Sequence, residues 1–266
     1  MIDLHSHILP GIDDGAPTLE VSLEMARIAV ADGIQVMACT PHIYPGMYMN
    51  DKTGIQAARD VLQRELDARG ISLKLAIGAD VHLVPGLLQG LRNRTVPTLN
   101  GNTRYLLLEP SHHHPPPRLT ELVFDIVAAG YVPVITHPER LVWIEDYYSV
   151  FKQLVQQGTW MQVTAGALTG KFGPRAKYWG ERLIGEGLTH ILATDAHTTG
   201  RRKPVLSEGL EVAQRLVGKQ EAHQLVVGRP DAIMRNLLPS ETAPLPARGL
   251  DEHGSGWFKK LFRREA

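Results

Sequence analysis

Histidine and aspartate crowd the first fifteen residues of the chain, MIDLHSHILPGIDDG, where a short apolar run ends in His5, Ser6 and His7 and is followed by Asp13 and Asp14. In a β-strand, residues two apart share a face, so His5 and His7 project together where the backbone leaves the sheet. An HxH pair alone says little. Five later segments, however, repeat the plan of an apolar β-like run ending in a metal-capable residue: MACTPH ends in His42, LKLAIGAD in Asp80, RYLLLE in Glu109, VPVITH in His137, and HILATDAH in Asp195 and His197. Six run-ends sharing this plan by chance is improbable. The candidate ligands are His5, His7, His42, His137 and His197 with Asp14, Asp80, Glu109 and Asp195, and no thiolate is among them. Imidazole plus carboxylate suits manganese, iron or zinc better than a soft-metal site. So many donors exceed the roughly four to six places around one ion, which points to about two or three ions bridged by carboxylates.

The elements that must carry these groups alternate between strand-like and helix-like segments, the pattern of parallel βα units. A first strand is expected to end in His5, Ser6 and His7, and others at 35–40, 73–78, 104–109, 131–137, 160–164 and 190–194. A first helix starts at Thr18, a suitable N-cap, runs through Leu19, Leu23, Ala26 and Val30 at helical spacing, and stops near Gly33. Others carry Ile55, Ala58, Leu62 and Leu66, then Leu119, Leu122, Val123 and Ile126, then 149–157, then a helix opened by Pro174, then Leu206, Leu210, Ala213 and Leu216. RPDAIMRNLL reads as a closing helix with Pro230 in its first turn. IYPGMYMNDKTG, after His42, is a loop long enough to be a lid. In parallel α/β folds functional groups gather at the carboxyl ends of the strands, and every candidate ligand stands at such an end.

At 266 residues and 43% apolar content the chain can bury a large core, and ligands spread from 5 to 197 favour one domain over two. Formal net charge is zero, which argues against bulk attraction to nucleic acid. The lone cysteine, Cys39, excludes an intrachain disulfide and fits a reducing compartment. With HSH beginning near the first residue and no run of about 18 apolar residues, neither a secretory signal nor a membrane span is expected, and the location expected is cytoplasmic. Thiol phosphatases place arginine six residues after their cysteine. Here Pro45 stands there, so Cys39 reads as a buried structural thiol.

Taken in order, HSH, TPH, the acid at 80, the Glu closing the fourth strand, HPER and TDAH resemble the polymerase and histidinol phosphatase (PHP) superfamily of metallophosphoesterases. Within it, DLHSHILPGIDDG, TPHIYPG, ITHPER and ATDAH are similar to the bacterial manganese-dependent protein tyrosine phosphatases of capsule and exopolysaccharide synthesis. The resemblance covers residues 1–238. It implies a distorted seven-stranded (β/α) barrel of PHP type as a single domain. It also implies a trinuclear site of manganese, with iron, zinc or magnesium as alternatives. His5 and His7 would hold one ion with Asp80 and Asp195; Asp80, Glu109 and His137 a second; His42 and His197 a third with an acid of the DDG turn, Asp14 being preferred to Asp13. The implied substrate is a phosphotyrosine protein, a membrane-bound bacterial tyrosine kinase of polysaccharide synthesis. Two departures stand out. Asp80 replaces the usual glutamate and is one methylene shorter, with His82 placed to compensate, and SHHHPPPR follows Glu109 where relatives carry aromatic residues. His112, His113 and His114 read first as a solvated loop.

Bridging divalent ions lower the pKa of bound water toward about 7 and supply hydroxide for in-line attack on phosphorus. Arg140, after His137, and Arg201 or Arg202, past His197, are placed to fork onto the phosphate. Tyr44 and Tyr48 are candidates to flank a phenyl ring. Two other readings keep less of this: a small-molecule phosphatase such as a histidinol phosphatase, and a non-catalytic scaffold of polysaccharide assembly whose site has decayed at Asp80.

Beyond Leu238 the composition turns to Pro, Gly and charge, so 239–266 is expected to be a flexible tail. Its end, WFKKLFRR, interleaves Trp257, Phe258, Leu261 and Phe262 with Lys259, Lys260, Arg263 and Arg264, a composition suited to peripheral contact with an anionic membrane surface. Deleting residues 255–266 should therefore weaken co-sedimentation with anionic liposomes at low salt and leave hydrolysis of a soluble phosphopeptide unchanged. Equal sedimentation of the full-length and truncated chains would remove the membrane role.

Overall fold

The computed structural model describes residues 1–246. The aromatic basic end, including Trp257 and Phe258, lies outside the described residues. Strands and helices alternate in a mixed α/β fold. The strands are β1 (Ile2–Ser6), β2 (Val36–Cys39), β3 (His42–Tyr44), β4 (Tyr48–Met49), β5 (Lys74–Ile77), β6 (Asp80–His82), β7 (Tyr105–Glu109), β8 (Val132–Thr136), β9 (Trp160–Thr164) and β10 (Ile191–Ala193). The helices are α1 (Leu19–Ala31), α2 (Lys52–Ala68), α3 (Leu87–Arg92), α4 (Leu119–Ala128), α5 (Ile144–Gln156), α6 (Ala165–Leu168), α7 (Pro174–Gly185), α8 (Ser207–Val217), α9 (Lys219–His223) and α10 (Arg229–Met234). Among the described residues, no helix is long and apolar enough to cross a membrane.

β1, β2 and β5 form one parallel sheet, and β10-β9-β8-β7-β6-β3-β4 form another in which only the β3/β4 pair is antiparallel. The two sheets run into each other. β2 is interrupted before β3 at Pro41, which has no N–H to give a ladder, and β5 before β6 at Gly78. Pairing carries across the gap, because Gly78 N donates to Cys39 O (2.9 Å) and Asp80 N to Pro41 O (3.2 Å). On the far side, Ser6 bridges Ala196, and Asp195 N donates to His5 O (2.9 Å).

Two apolar clusters flank this sheet. The larger packs the helices onto the outer face, through residues such as Leu62, Leu66, Phe151, Leu183 and Leu206. The smaller gathers the inward-pointing residues: Leu4, Ala38, Ala76, Leu107, Val134, Trp160 and Ile191, one from each of seven strands, closed below by Ile233 of α10. Strand alternation then determines what stands above it. Following the inner face upward, Tyr105 and Leu107 lead to Glu109, Val132 and Val134 to Thr136, and Trp160 to Gln162, so the same face is apolar at its base and polar at its carboxyl end.

The expected elements occupy their places, with shifted bounds in several. Thr18 caps α1 by accepting from Val21 N, and strand 160–164 has the expected limits. The expected lid after His42 is instead the β3/β4 hairpin, pairing Ile43 with Met49 and Tyr44 with Tyr48. Residues 239–246, expected in the tail, hold to the body: a short 3-10 turn covers Pro239–Glu241, and the buried Arg229 donates to the carbonyls of Ala243 and Pro244.

Asp3 ties the first strand to the last. Its carboxylate is fully buried and accepts from Thr194 N (3.0 Å) and from the Thr194 hydroxyl (2.5 Å). Asp3→Ala would take the acceptor from Thr194 N and leave the Thr194 hydroxyl only its 3.4 Å contact to the His5 carbonyl, and the expected cost is about 1–3 kcal/mol in urea unfolding. An unchanged midpoint would show that this tie carries no stability.

Candidate metal centre

An irregularity in β1 places the first ligands. Asp3 is in register with Met37, yet Ser6 is in register with Cys39, so β1 contains one residue more than its partner between these points. Strict alternation from Leu4, which points into the inner cluster, would turn His5 outward. The extra residue instead leaves His5 on the inner side, where its Nδ1 lies 2.8 Å from Oε1 of Gln162. This contact orients the ring and turns Nε2 toward the carboxylates, 3.4 Å from Asp80 Oδ2 and 3.3 Å from Asp195 Oδ1. His7 is oriented in the same way by Asp13, whose Oδ2 is 2.6 Å from Nδ1, leaving His7 Nε2 3.4 Å from Asp195 Oδ1.

Asp14, and not Asp13, faces the remaining histidines. Its Oδ1 lies 3.3 Å from His197 Nε2 and 3.5 Å from His42 Nε2. The turn that presents it depends on Gly15, where a Cβ would stand 2.0 Å from the His7 carbonyl oxygen. Glu109 stands at the opposite end, 3.3 Å from His42 Nδ1 through Oε2 and 3.5 Å from His137 Nε2 through Oε1. All nine sequence-selected ligands thus meet at one end of the sheet. Donor atoms lie within 4.8 Å of one another in the groups His7, Asp14, His42, His197; His5, His7, Asp80; and His5, His137, Asp195. His137 and Asp195 adopt positive φ angles, 36° and 51°, at the ends of β8 and β10.

The donor chemistry fits divalent cations. His42 Nδ1, Asp80 Oδ2, Glu109 Oε2 and His137 Nδ1 are buried and lack a hydrogen-bond partner of good geometry, a concentration that folded proteins avoid outside functional sites. The field is that of a cation site too. Burial opposes charge on His5, but Asp195 and Asp80 overcome it and raise its pKa to about 9. Burial likewise opposes charge on His42, and Glu109, Asp80 and Asp14 raise it to about 9. His137 is driven down to about 3 by burial and by Arg140, and His197 to about 4 by burial and by His7, which keeps both as neutral imidazoles, the ligand form.

Of the three arginines singled out, two arrive. Arg140 Nη1 and Arg202 Nη2 both contact Oδ2 of Asp195, the latter at 2.6 Å, while Oδ1 of the same carboxylate faces His5 and His7. Phe172 lies under both guanidinium groups, its ring centre 4.6 Å from Cζ of Arg140 and 5.8 Å from that of Arg202. Arg201 is not brought in: it lies on the exposed turn after His197 and gives its guanidinium to the Lys171 carbonyl. Arg140 does not pair with Glu139, which is buried beneath and accepts from Thr164 N (3.0 Å). Tyr44 stacks on His82 at 3.8 Å and Tyr48 on His42 at 5.5 Å, so both rings flank the cluster. Cys39 is fully buried, and burial pushes its thiol well above the ordinary range.

Sequence inspection missed Asp13 as the partner of His7, Gln162 as the partner of His5, and Thr136, whose hydroxyl is 3.2 Å from Asp80 Oδ1. Gln162 carried a usable signal, since it is a polar residue within the otherwise apolar run WMQV. Of the SHHH tract, His113 and His114 are exposed, but His112 turns back to place Nε2 3.2 Å from Glu109 Oε1, so the solvated-loop expectation fails for that residue.

Imidazoles and carboxylates gathered at one end of the sheet, with two arginines at their edge, define a divalent-metal site in a mixed α/β protein; His42 and Asp80 open β3 and β6 rather than closing strands as expected, because β2 and β5 are interrupted just before them. Residues 1–235 match the family described as capsular polysaccharide synthesis, CpsB/CapC, and the chain belongs to that family. It is 35% identical over 248 residues to the tyrosine-protein phosphatase YwqE of Bacillus subtilis (strain 168), covering 93% of this chain and 97% of that protein. It is 28% identical over 245 residues to the tyrosine-protein phosphatase CpsB of Streptococcus agalactiae, covering 89% and 99%. Among solved structures it resembles one from the study of YwqE from Bacillus subtilis and CpsB from Streptococcus pneumoniae, described there as unique metal-dependent tyrosine phosphatases. The TM-score is 0.87 at 35% identity, with 92% of this chain and 99% of that one covered.

Asp80 is the carboxylate on which the geometry turns, since its Oδ2 faces both His5 and His137. Asp80→Ala should lower the number of ions retained per chain in elemental analysis, and Asp80→Glu should restore it. Unchanged metal content in the alanine variant would remove Asp80 from the ligand set.

Proposed function

We propose that this protein is a metal-dependent protein tyrosine phosphatase that removes phosphate from phosphotyrosine on a protein of capsule or exopolysaccharide synthesis. The observation that carries this reading is the convergence of His5, His7, Asp14, His42, Asp80, Glu109, His137, Asp195 and His197 on one end of the sheet, beside Arg140 and Arg202. The named relatives support it. The ligand end is that of a distorted seven-stranded (β/α) barrel, a reading favoured by the seven strands that share the inner apolar cluster and by the Ser6 to Ala196 bridge. Residues 1–238 form the catalytic unit. Manganese is the ion we favour from the balance of oxygen and imidazole donors.

His5, His7, Asp14, His42, Asp80, Glu109, His137, Asp195 and His197 would hold divalent ions, which would supply an acidified water as nucleophile and neutralise charge on the phosphoryl group. The chain does the rest. Arg140 and Arg202, anchored together on Asp195 and placed over the Phe172 ring, present remaining N–H groups to the phosphate oxygens and align phosphorus with the ligand cluster. Tyr44 and Tyr48 offer apolar ring edges to the phenyl group at the mouth. We assign no side chain as a general acid for the leaving oxygen. A phenol, with a pKa of about 10, departs with far less need of one than an alcohol, which resembles water at about 15.7. Aryl phosphates are therefore the favoured substrates. The physiological substrate we favour is a membrane-bound tyrosine kinase met from the cytoplasmic side, with the basic aromatic terminus assisting the encounter.

The decisive comparison is turnover of a phosphotyrosine peptide, a phosphoserine peptide and histidinol phosphate by the same preparation. The expected result is preference for phosphotyrosine, loss of turnover on chelation with recovery on adding manganese, and no effect of thiol alkylation. Preference for histidinol phosphate would assign a small-molecule phosphatase, and metal binding without turnover of any of the three would assign a scaffold.

A further inference from the structure

Glu109 is surrounded by more imidazole than the nine ligands account for. Besides His42 and His137, two further rings reach its carboxylate: His82 Nε2 lies 2.5 Å from Oε2, and His112 Nε2 lies 3.2 Å from Oε1. The carboxylate itself is almost wholly buried. Donor atoms of Glu109, His112 and His137 fall within 4.8 Å of one another, with the His112 and His137 ring centres 4.8 Å apart.

His112 is not a stray side chain on a loose loop. The residue before it accepts a hydrogen bond at its carbonyl from Trp143 Nε1 (2.9 Å), and its own carbonyl accepts from Val142 N (3.0 Å). Trp143 is buried in the outer core, so the backbone on both sides of the His112 ring is fixed to the body. His113 and His114, one and two places on, point to solvent. At the other oxygen, His82 is held by its face-to-face stack on Tyr44, 3.8 Å between centres and 8° between planes. Its contact with Oε2 limits rotation of the carboxylate and leaves Oε1 turned toward His112 and His137.

We propose that His112 is a protein ligand of the ion held by Asp80, Glu109 and His137, giving that ion two imidazoles and two carboxylates. This rests on the metal-centre reading above and extends it. Asp80 Oδ2 stands 3.8 Å from His137 Nε2, and His112 approaches the same His137 ring from the Glu109 side. Two imidazoles shift this ion's preference toward zinc relative to a site dominated by oxygen, because nitrogen donors gain more from the later first-row metals.

The test is titration of the chelator-stripped full-length chain with zinc and separately with manganese, following heat and retained metal. His112→Ala should lose one zinc equivalent, with a smaller change for manganese, while His113→Ala matches the unaltered chain. Thermal melting of each variant checks folding, and His112→Gln, which keeps much of the side-chain volume, should share the loss. Zinc and manganese affinities unchanged in both His112 variants would overturn the proposal and leave the metal centre standing. Failure of the unaltered chain to bind either metal would overturn both.

Discussion

Carboxylates brought together inside a protein repel one another, and the whole ligand end is shaped by that constraint. Asp80, Glu109 and Asp195 are buried and stand around shared histidines. Two unit negative charges about 4 Å apart repel by about 4 kcal/mol at an effective dielectric of about 20. Positive charge must be interleaved for the arrangement to persist. Arg140 and Arg202 supply part of it on one oxygen of Asp195, and the donor set around the other oxygens is built to receive cations. The arginines thereby serve the fold before any substrate arrives, and they are already in place when one does.

What tolerates this concentration of charge is the division of the inner face. Tyr105, Leu107, Val132, Val134 and Trp160 fill its base without a charged group, and Glu109, Thr136 and Gln162 continue the same columns above them. Burial of apolar surface, worth about 25 cal/mol per Å², is thus spatially separate from the chemistry. The base anchors the strands, and their carboxyl ends carry side chains whose mutual placement is set by strand register. Hydrogen bonds across the two strand interruptions, and from Asp3 to Thr194, keep that register continuous around the site.

Much of this is legible in the sequence, because the strands of a parallel sheet are short apolar runs and the ligands stand where the runs end. The alternation of elements, the Thr18 cap and the run-end placement of the candidate ligands follow from local pattern, while the choice of Asp14 over Asp13 does not. What local pattern cannot carry is geometry created by partners far away. The extra residue in β1 is defined only against β2, and without it His5 would share the outward face of Asp3. The hairpin at His42–Met49 looked like a loop because its two strands are very short and its turn is rich in Gly and Pro. Helix α5 begins at Ile144, earlier than its apolar spacing alone indicates, because Trp143 and Leu141 are buried by tertiary packing. Adjacent arginines at 201 and 202 cannot be told apart by composition, and their opposite directions are decided by the turn that carries them.

The left-handed backbone at His137 and Asp195 sets two demands against each other at the same positions. Such conformations cost a side-chain-bearing residue of order 1–3 kcal/mol and cost glycine almost nothing. Backbone energetics alone would therefore draw both positions toward glycine as mutations accumulate, and the need for an imidazole and a carboxylate opposes that drift. In a lineage released from catalysis His137 would be among the first of these to change, whereas Asp195 would still be held by its pairing with Arg140 and Arg202. The side chain at His137 thus acts as a record of selection: a relative that keeps it is still under pressure to perform chemistry, whereas one carrying glycine there has exchanged that chemistry for an easier backbone.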